Sequence, residues 1–312
     1  MNEKIAIRDA YGQALRDLGA ENPRVVALEA DVGSSSRSIL FGKEFPERYF
    51  NVGISELNMV NMAAGLALEG FVPYVNTFAV FMASRSLDPV QSLIAYDNLN
   101  VRLCGTYSGL SDSYDGASHQ TITDIAAMRS IPNMTVINVC DAVQTRKAVF
   151  ALAEFKGPAY LRLSRAPAPV LYGEDAAFEI GKGVLLREGK DVTIFATGTV
   201  LHSALAAADL LAKEGIQATV ADIHTIQPLD KELVVSCARA TGAVLTVEEH
   251  SVRGGLGSAV AQCLAEACPT VQDTLGCTEF AESGDLDLLL EKYGFSPETI
   301  ALRAKNVMDK RG

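Results

Sequence analysis

The feature that most narrows what this chain can become is the alternation of two kinds of segment. Short apolar runs rich in β-branched residues recur: "RVVALEA", "VPYVNTF", "NVRLCGT", "MTVINV" and "AYLRLS", then "DVTIFATG", "ATVADIH" and "AVLTVEEH". Most are continuously apolar rather than alternating, as in strands covered on both faces. Stretches with helical spacing separate them, among them "IRDAYGQALRDLG", "DAVQTRKAVFALAEF" and "LHSALAAADLLAKEG". Strands joined through helices pair in parallel, because a parallel connection needs a long crossover. The pattern therefore predicts an α/β fold built on parallel sheets.

One stretch breaks the pattern. Residues 164–183, "SRAPAPVLYGEDAAFEIGKG", carry prolines and glycines and no periodicity, which reads as a connection. It predicts a first domain over 1–170, a linker over 171–177 and a second domain over 178–312, in keeping with 312 residues. A formal net charge of −11 argues against nucleic acid or an anionic membrane surface as partner. It leaves room for a local basic pocket. No apolar run approaches the ~20 residues needed to span a bilayer, and "MNEKIAIRDAYGQAL" has no apolar signal core. The six cysteines are scattered, with no C-x-x-C pair. They read as small hydrophobes in a reduced, cytoplasmic protein.

Several residues stand out against this background. Glu56 heads "ELNMVNMAAGLAL", a stretch apolar or small nearly all round and hence expected to be a buried helix capped by Ser55. A carboxylate in the first helical turn commonly just favours the positive end of the helix dipole. At the edge of a buried helix it is costly unless something specific binds it. Phe78 and Phe81, in "NTFAVFMASR", suit either core packing or an aromatic wall for a flat heterocycle. Asp115 and His119 flank the turn in "SYDGASHQ". Asp115 or Ser118 could cap a helix there, while a histidine in a glycine-bearing loop suits proton transfer or holding a hydroxyl. Arg8, Arg162 and Arg165 are each explained by solvation. Either of the last two, in "AYLRLSR", could instead point into a cleft at the strand's C-terminal end. "RGGLGSAV" lacks the third small residue of a dinucleotide fingerprint and reads as a tight strand-to-helix turn.

In their order along the chain these motifs resemble transketolase, and more narrowly the C-terminal section of a two-chain bacterial transketolase. The segments that carry the resemblance are "DVGSSSRSILFGKEFPERYFNVGISELNMVNMAAGLALEG", "NTFAVF", "DGASHQTITDIAAMRSIPNMTV", "LSRAP", "DIHTIQPLD" and "VEEHSVRGGLGSAVA". The resemblance implies a pyrimidine-binding domain followed by a smaller α/β transketolase C-terminal domain. It also implies thiamine diphosphate and Mg²⁺ as cofactors, and transfer of a two-carbon ketol unit from a ketose phosphate to an aldose phosphate. Glu56 then matches the carboxylate that exchanges a proton with N1′ of the aminopyrimidine, for which desolvation would have to raise its pKa against the helix dipole. Phe78 and Phe81 match residues packing on that ring. His119 matches a contact near the reacting carbon, and Asp115 an acceptor of a substrate hydroxyl. Arg8, Ser35 and Arg165 match the grip on the sugar phosphate, where guanidinium binds phosphate oxygens in pairs.

Two departures qualify the match. Tyr107, in "CGTYSGLSDSYDG", stands where the family has a histidine that helps hold the phosphate, which favours a modified or branched sugar. The family's Gly-Asp-Gly motif for diphosphate and metal is absent, since Gly284-Asp285 is followed by Leu286. The resemblance therefore implies that the metal ligands come from a separate N-terminal transketolase subunit, in an α2β2 assembly with the active site between chains. The rival readings are the β subunit of a 2-oxo acid dehydrogenase-type enzyme, which shares the glutamate, and a non-catalytic interaction protein that kept the fold.

Overall fold

The computed structural model describes residues 3–311. Its first half is a seven-stranded sheet. Strand β1 (Lys4–Ala6) lies outside it, and its body is β2 (Val25–Glu29), β3 (Tyr49–Asn51), β4 (Val72–Phe78), β5 (Arg102–Thr106), β6 (Thr135–Asn138) and β7 (Ala159–Leu163). These six pair in parallel throughout. Helices Ile7–Glu21 and Ala142–Glu154 cover one face, where Tyr11, Leu15 and Leu152 meet Ala27 and Leu161. Helix Glu56–Leu68 covers the other, where Met59, Val60 and Ala63 meet Leu28 and Val75. The continuously apolar strands are thus buried on both sides, as their composition requires.

The segment 164–183 is not featureless. It carries β8 (Pro167–Pro169), which pairs antiparallel with β1. This two-stranded ribbon ties the start of the chain to the end of the first sheet, and so brings Arg8 alongside Arg165.

A second sheet follows, built from β9 (Val184–Arg187), β10 (Val192–Thr197), β11 (Ala218–Asp222), β13 (Ala243–Ser251) and β14 (Val271–Cys277) in the order β14-β13-β10-β11-β9. All its pairs are parallel except β11 with β9. Strand β12 (Thr225–Gln227) leaves this unit altogether. It joins the first sheet antiparallel to β6, with Thr225 opposite Ile137, so the first sheet reads β12-β6-β7-β5-β4-β2-β3. All six cysteines are free thiols. Among the described residues no helix is long and apolar enough to cross a membrane.

The sequence misstates one element. Helix Glu56–Leu68 is buried on one side only, and Leu57 (51% exposed) and Leu68 (68%) face outward, next to Ile54 (74%). An apolar circumference predicts burial within this chain. The sheet uses half of it and the rest stays open. Ser55 occupies the N-cap position, but its side chain makes no capping bond.

Candidate active site

Parallel strands aim their C-terminal ends at one edge of a sheet, where loops are free to converge. Ser35 follows β2, Glu56 follows β3, Phe78 ends β4, Tyr107 follows β5 and Arg165 follows β7. The β1–β8 ribbon brings Arg8, on the first turn of its helix, to the same edge.

Glu56 is 4% exposed. Arg85, at the end of helix Ala79–Arg85, donates from Nη1 to Glu56 Oε1 at 2.8 Å. The buried carboxylate is therefore not left unpaired. Arg85 also lies over the Phe81 ring at 3.9 Å, a cation–π contact. Among the described residues Arg85 is the only hydrogen-bond partner of the Glu56 side chain.

From Phe81 an aromatic wall runs inward. Phe78 and Phe81 stack with centroids 5.8 Å apart, and Phe78 stacks on Tyr107 at 4.4 Å. The His119 ring meets Phe81 edge-on at 5.4 Å, and its Nδ1 lies 3.0 Å from Ser118 Oγ. Asp115 precedes the short 3₁₀ turn Gly116–Ser118 without capping it through its side chain. The turn therefore does not account for that carboxylate.

At the far end of the wall two guanidiniums converge on Tyr107. Arg8 Nη1 donates to the Tyr107 hydroxyl and, at 3.4 Å, to the carbonyl of Ser35. The Ser35 backbone, rather than its hydroxyl, makes this contact. Arg165 sits over the Tyr107 ring at 5.1 Å. Both arginines line a cavity of about 670 Å³ between the halves of the chain, with Lys4, Ser111, His202 and Asp285 on its walls. Tyr107 has φ +59°, a left-handed conformation that is costly for a tyrosine and gathers at functional loops. Arg162 faces away from this cluster. It is buried, donating from Nε to Asp124 at 2.8 Å and from Nη2 to the Glu249 carbonyl at 2.8 Å, so Arg165 is the arginine of "RLSR" that reaches the cleft.

Three residues at the site carry no sequence signal of their own. Arg85 is one. Asp112, wholly buried, is the second, and accepts from Arg165 Nη1 at 3.3 Å. Glu249, from the second domain, is the third. Its Oε1 accepts from the backbone N–H of Leu110 at 2.5 Å and its Oε2 from Thr199 Oγ1 at 3.2 Å. Gly109 must be glycine for this contact. Its φ is +61°, and a Cβ there would meet Glu249 Oε1 at 2.4 Å. Each of the three is fixed by a partner far away in sequence, which no local motif announces. The "RGGLGSAV" turn is filled from within: Glu248 accepts from the N–H groups of Leu256 and Gly257 at 2.6 and 2.7 Å. The chain's own carboxylate takes the place an anionic ligand would have at that helix N-terminus.

The donor set fits the pyrimidine half of a thiamine cofactor: a buried carboxylate beside a wall of aromatic rings suits a flat nitrogen heterocycle. For the diphosphate and its metal the described residues offer no group of three or more His, Cys, Asp or Glu that could hold an ion.

Comparison with known proteins agrees with this division. Residues 3–169 match the family described as transketolase, pyrimidine binding domain, and residues 181–300 match transketolase, C-terminal domain. A protein of Methanocaldococcus jannaschii described as a putative transketolase C-terminal section is 41% identical over 97% of this chain and 96% of its own length. The 6-deoxy-6-sulfo-D-fructose transketolase subunit SqwH of a Clostridium species is 41% identical over 99% of this chain and 96% of its own. A solved structure described as "Split gene transketolase, inactive beta4 tetramer" superposes with a TM-score of 0.92 at 44% identity, over 99% of this chain and 100% of that one. By fold, by both domain matches and by relatives matched end to end, the chain belongs to the transketolase family.

Proposed function

We propose that this chain is the pyrimidine-side subunit of a two-chain transketolase, which moves a two-carbon ketol unit between anionic sugars once a partner brings the diphosphate- and metal-binding domain. The observation that carries the reading is the unbroken line of contacts from Glu56 through Arg85, Phe81, Phe78 and Tyr107 to Arg8 and Arg165. It joins a proton-handling carboxylate, a stacking surface and an anion grip at one sheet edge.

When bound, thiamine diphosphate supplies the electron sink for breaking the carbon–carbon bond beside a ketose carbonyl. The chain's own residues do the rest. Glu56 holds a proton at N1′ of the pyrimidine. Phe78 and Phe81 fix the ring's plane, and His119 and Asp115 hold the substrate near its carbonyl and a hydroxyl. Arg8 and Arg165 grip the anionic tail, with the Ser35 carbonyl orienting Arg8.

A partner docked on the open side of helix Glu56–Leu68, where Ile54, Leu57 and Leu68 are exposed, would cover apolar surface that a soluble monomer seldom leaves bare. It would also bring the Mg²⁺ ligands to the side where Glu56 lies. An α2β2 assembly in the cytoplasm follows from the same reading.

The test is reconstitution. The chain is purified with a partner chain carrying a Gly-Asp-Gly motif, then assayed with thiamine diphosphate and Mg²⁺ on ketose phosphates and sulfonates and on 2-oxo acids. Turnover of ketoses supports the reading. Turnover of 2-oxo acids alone assigns the chain to the dehydrogenase-type enzymes, and no turnover with cofactor bound makes it an interaction protein.

A further inference from the structure

Asp112 has no part in the grip just described, yet it is the most constrained carboxyl at the site. Its side chain is wholly buried in the loop between β5 and the 3₁₀ turn. One oxygen accepts from Arg165 at 3.3 Å, no donor among the described residues reaches the other, and the Asp115 carboxyl lies within hydrogen-bonding reach of Asp112. It caps nothing: the backbone N–H of Arg165 is taken by Ser111 Oγ at 3.0 Å, and the 3₁₀ turn has no side-chain cap. Burying a carboxyl that only one donor reaches is expensive, and its other neighbour, Asp115, is a second carboxyl rather than a donor group. Burial, and then the neighbouring Asp115 carboxyl, push Asp112 up to about 7 against the pull of Arg165.

The charged groups around it can be named. Arg165 faces it from the segment after β7, and Asp115 from its own loop. Arg8 and Asp9 from the first helix, Lys4 from β1, and His202, Asp285 and Asp287 from the second domain line the cavity that Arg165 borders. Arg8 forms no ion pair among the described residues: its partners are the Tyr107 hydroxyl and the Ser35 carbonyl.

Building on the transketolase reading, we propose that Asp112 is a positioning residue that sets the charge of the anion grip, matching it to a singly charged sulfonate tail rather than a doubly charged phosphate. Ionised Asp112 offsets Arg165, so Arg8 is the one uncompensated guanidinium beside the Tyr107 hydroxyl, with the Lys4 ammonium farther along the cavity wall. A sulfonate and a phosphate share a tetrahedral shape, so a cleft cannot sort them by form. A sulfonate carries one charge at any physiological pH, whereas a phosphate monoester gains its second near pH 6. A dianion seated on Arg165 meets the Asp112 carboxylate behind it and binds well only if a proton comes along.

The experiment uses the reconstituted, cofactor-loaded enzyme and two donors, 6-deoxy-6-sulfofructose and fructose 6-phosphate, from about pH 6 to about pH 8.5. At about pH 8 the sulfonate is expected to have roughly tenfold higher kcat/KM, about 1.4 kcal/mol of discrimination, carried by KM. The ratio should narrow toward about pH 6, where Asp112 and the phosphate each take up a proton. In Asp112→Asn, phosphate kcat/KM at about pH 8 should rise roughly tenfold through KM and the sulfonate only about threefold, because the same removed charge acts on half the tail charge. A structural role alone would change both donors by the same factor.

A preference for phosphate at the higher pH in the wild type, or equal shifts of both donors in Asp112→Asn, overturns the proposal. Should Asp112→Asn fail to fold, Asp112→Ser takes its place, and the wild-type ratio and its pH slope decide the matter alone. Turnover of neither ketose refutes the transketolase reading instead. Turnover of both with phosphate preferred refutes only the role of Asp112.

Discussion

Arg85 holds Glu56 from outside. The guanidinium is 49% exposed and the carboxylate it reaches is 5% exposed, at 2.8 Å. Any group that takes the proton-exchanging role of Glu56 must share it with, or displace, a cation already in place. Replacing Glu56 by Gln in the reconstituted enzyme is expected to lower kcat by roughly 10²–10⁴-fold, the range for loss of an acid–base group. Steady-state rates within an order of magnitude of wild type would remove Glu56 from the mechanism. Arg85→Ala should cost the free chain more than an exposed pair would, roughly 1–3 kcal/mol in thermal or urea unfolding, because it leaves the buried Glu56 carboxylate without its partner. The cost should shrink when Glu56→Gln is already present, leaving the contact with the Phe81 ring as the remainder.

The isolated chain should show no ketol transfer and little heat on titration with thiamine diphosphate and Mg²⁺. The reason is that the described residues provide no metal cluster. Calorimetry before and after adding the partner checks this, and tight binding by the chain alone would contradict it.

Arg165→Ala should raise KM for an anionic donor more than it lowers kcat, since the contact is remote from the reacting carbon. Loss of one charge-assisted contact is worth roughly 1.5–3 kcal/mol. An unchanged KM would shift the grip to Arg8.

Tyr107→His should favour phosphate donors. Histidine tolerates the left-handed backbone at this position, and it can add a cation where tyrosine offers one neutral hydroxyl. Relative kcat/KM for xylulose 5-phosphate and a ketose sulfonate is the measurement, and equal values in both proteins would make the tyrosine neutral.

Much of this was legible in advance, for reasons that differ by residue. Strands β4 and β10 and helix Ile7–Glu21 declare themselves by local periodicity, and each lies where its pattern put it. Glu56, Phe78 and Phe81 stand out because polar or aromatic residues interrupt such patterns. Asp112 and Glu249 do not, because their meaning lies in partners 53 and 139 residues away. The exposed side of helix Glu56–Leu68 is not legible for a related reason: sequence reports that a surface is apolar, not which chain covers it.

Asp222 provides a pH test of the second domain. It is fully buried, bonded by Gln144 Nε2 at 2.7 Å and the Tyr172 hydroxyl at 2.8 Å, and burial pushes it up to about 7. Its folded pKa exceeds the unfolded one, so its contribution to stability is complete below the unfolded pKa near 4 and is lost as pH rises through about 7. Melting temperature should fall between about pH 4 and pH 7, level off above that, and fall less in Asp222→Asn. Glu248, also pushed up to about 7, keeps part of the slope. A profile identical in wild type and Asp222→Asn would show that the group does not titrate there.

Strand β12 carries a consequence for how the chain could be divided. It supplies three residues to the rim of a sheet it does not otherwise belong to, pairing with β6. A first half severed between 169 and 181 would present β6 as a raw border of unmet amides and carbonyls, an invitation to stack with its neighbours. The second half acts as a stopper for the first, so nature and the protein engineer alike would have to move the two as one piece.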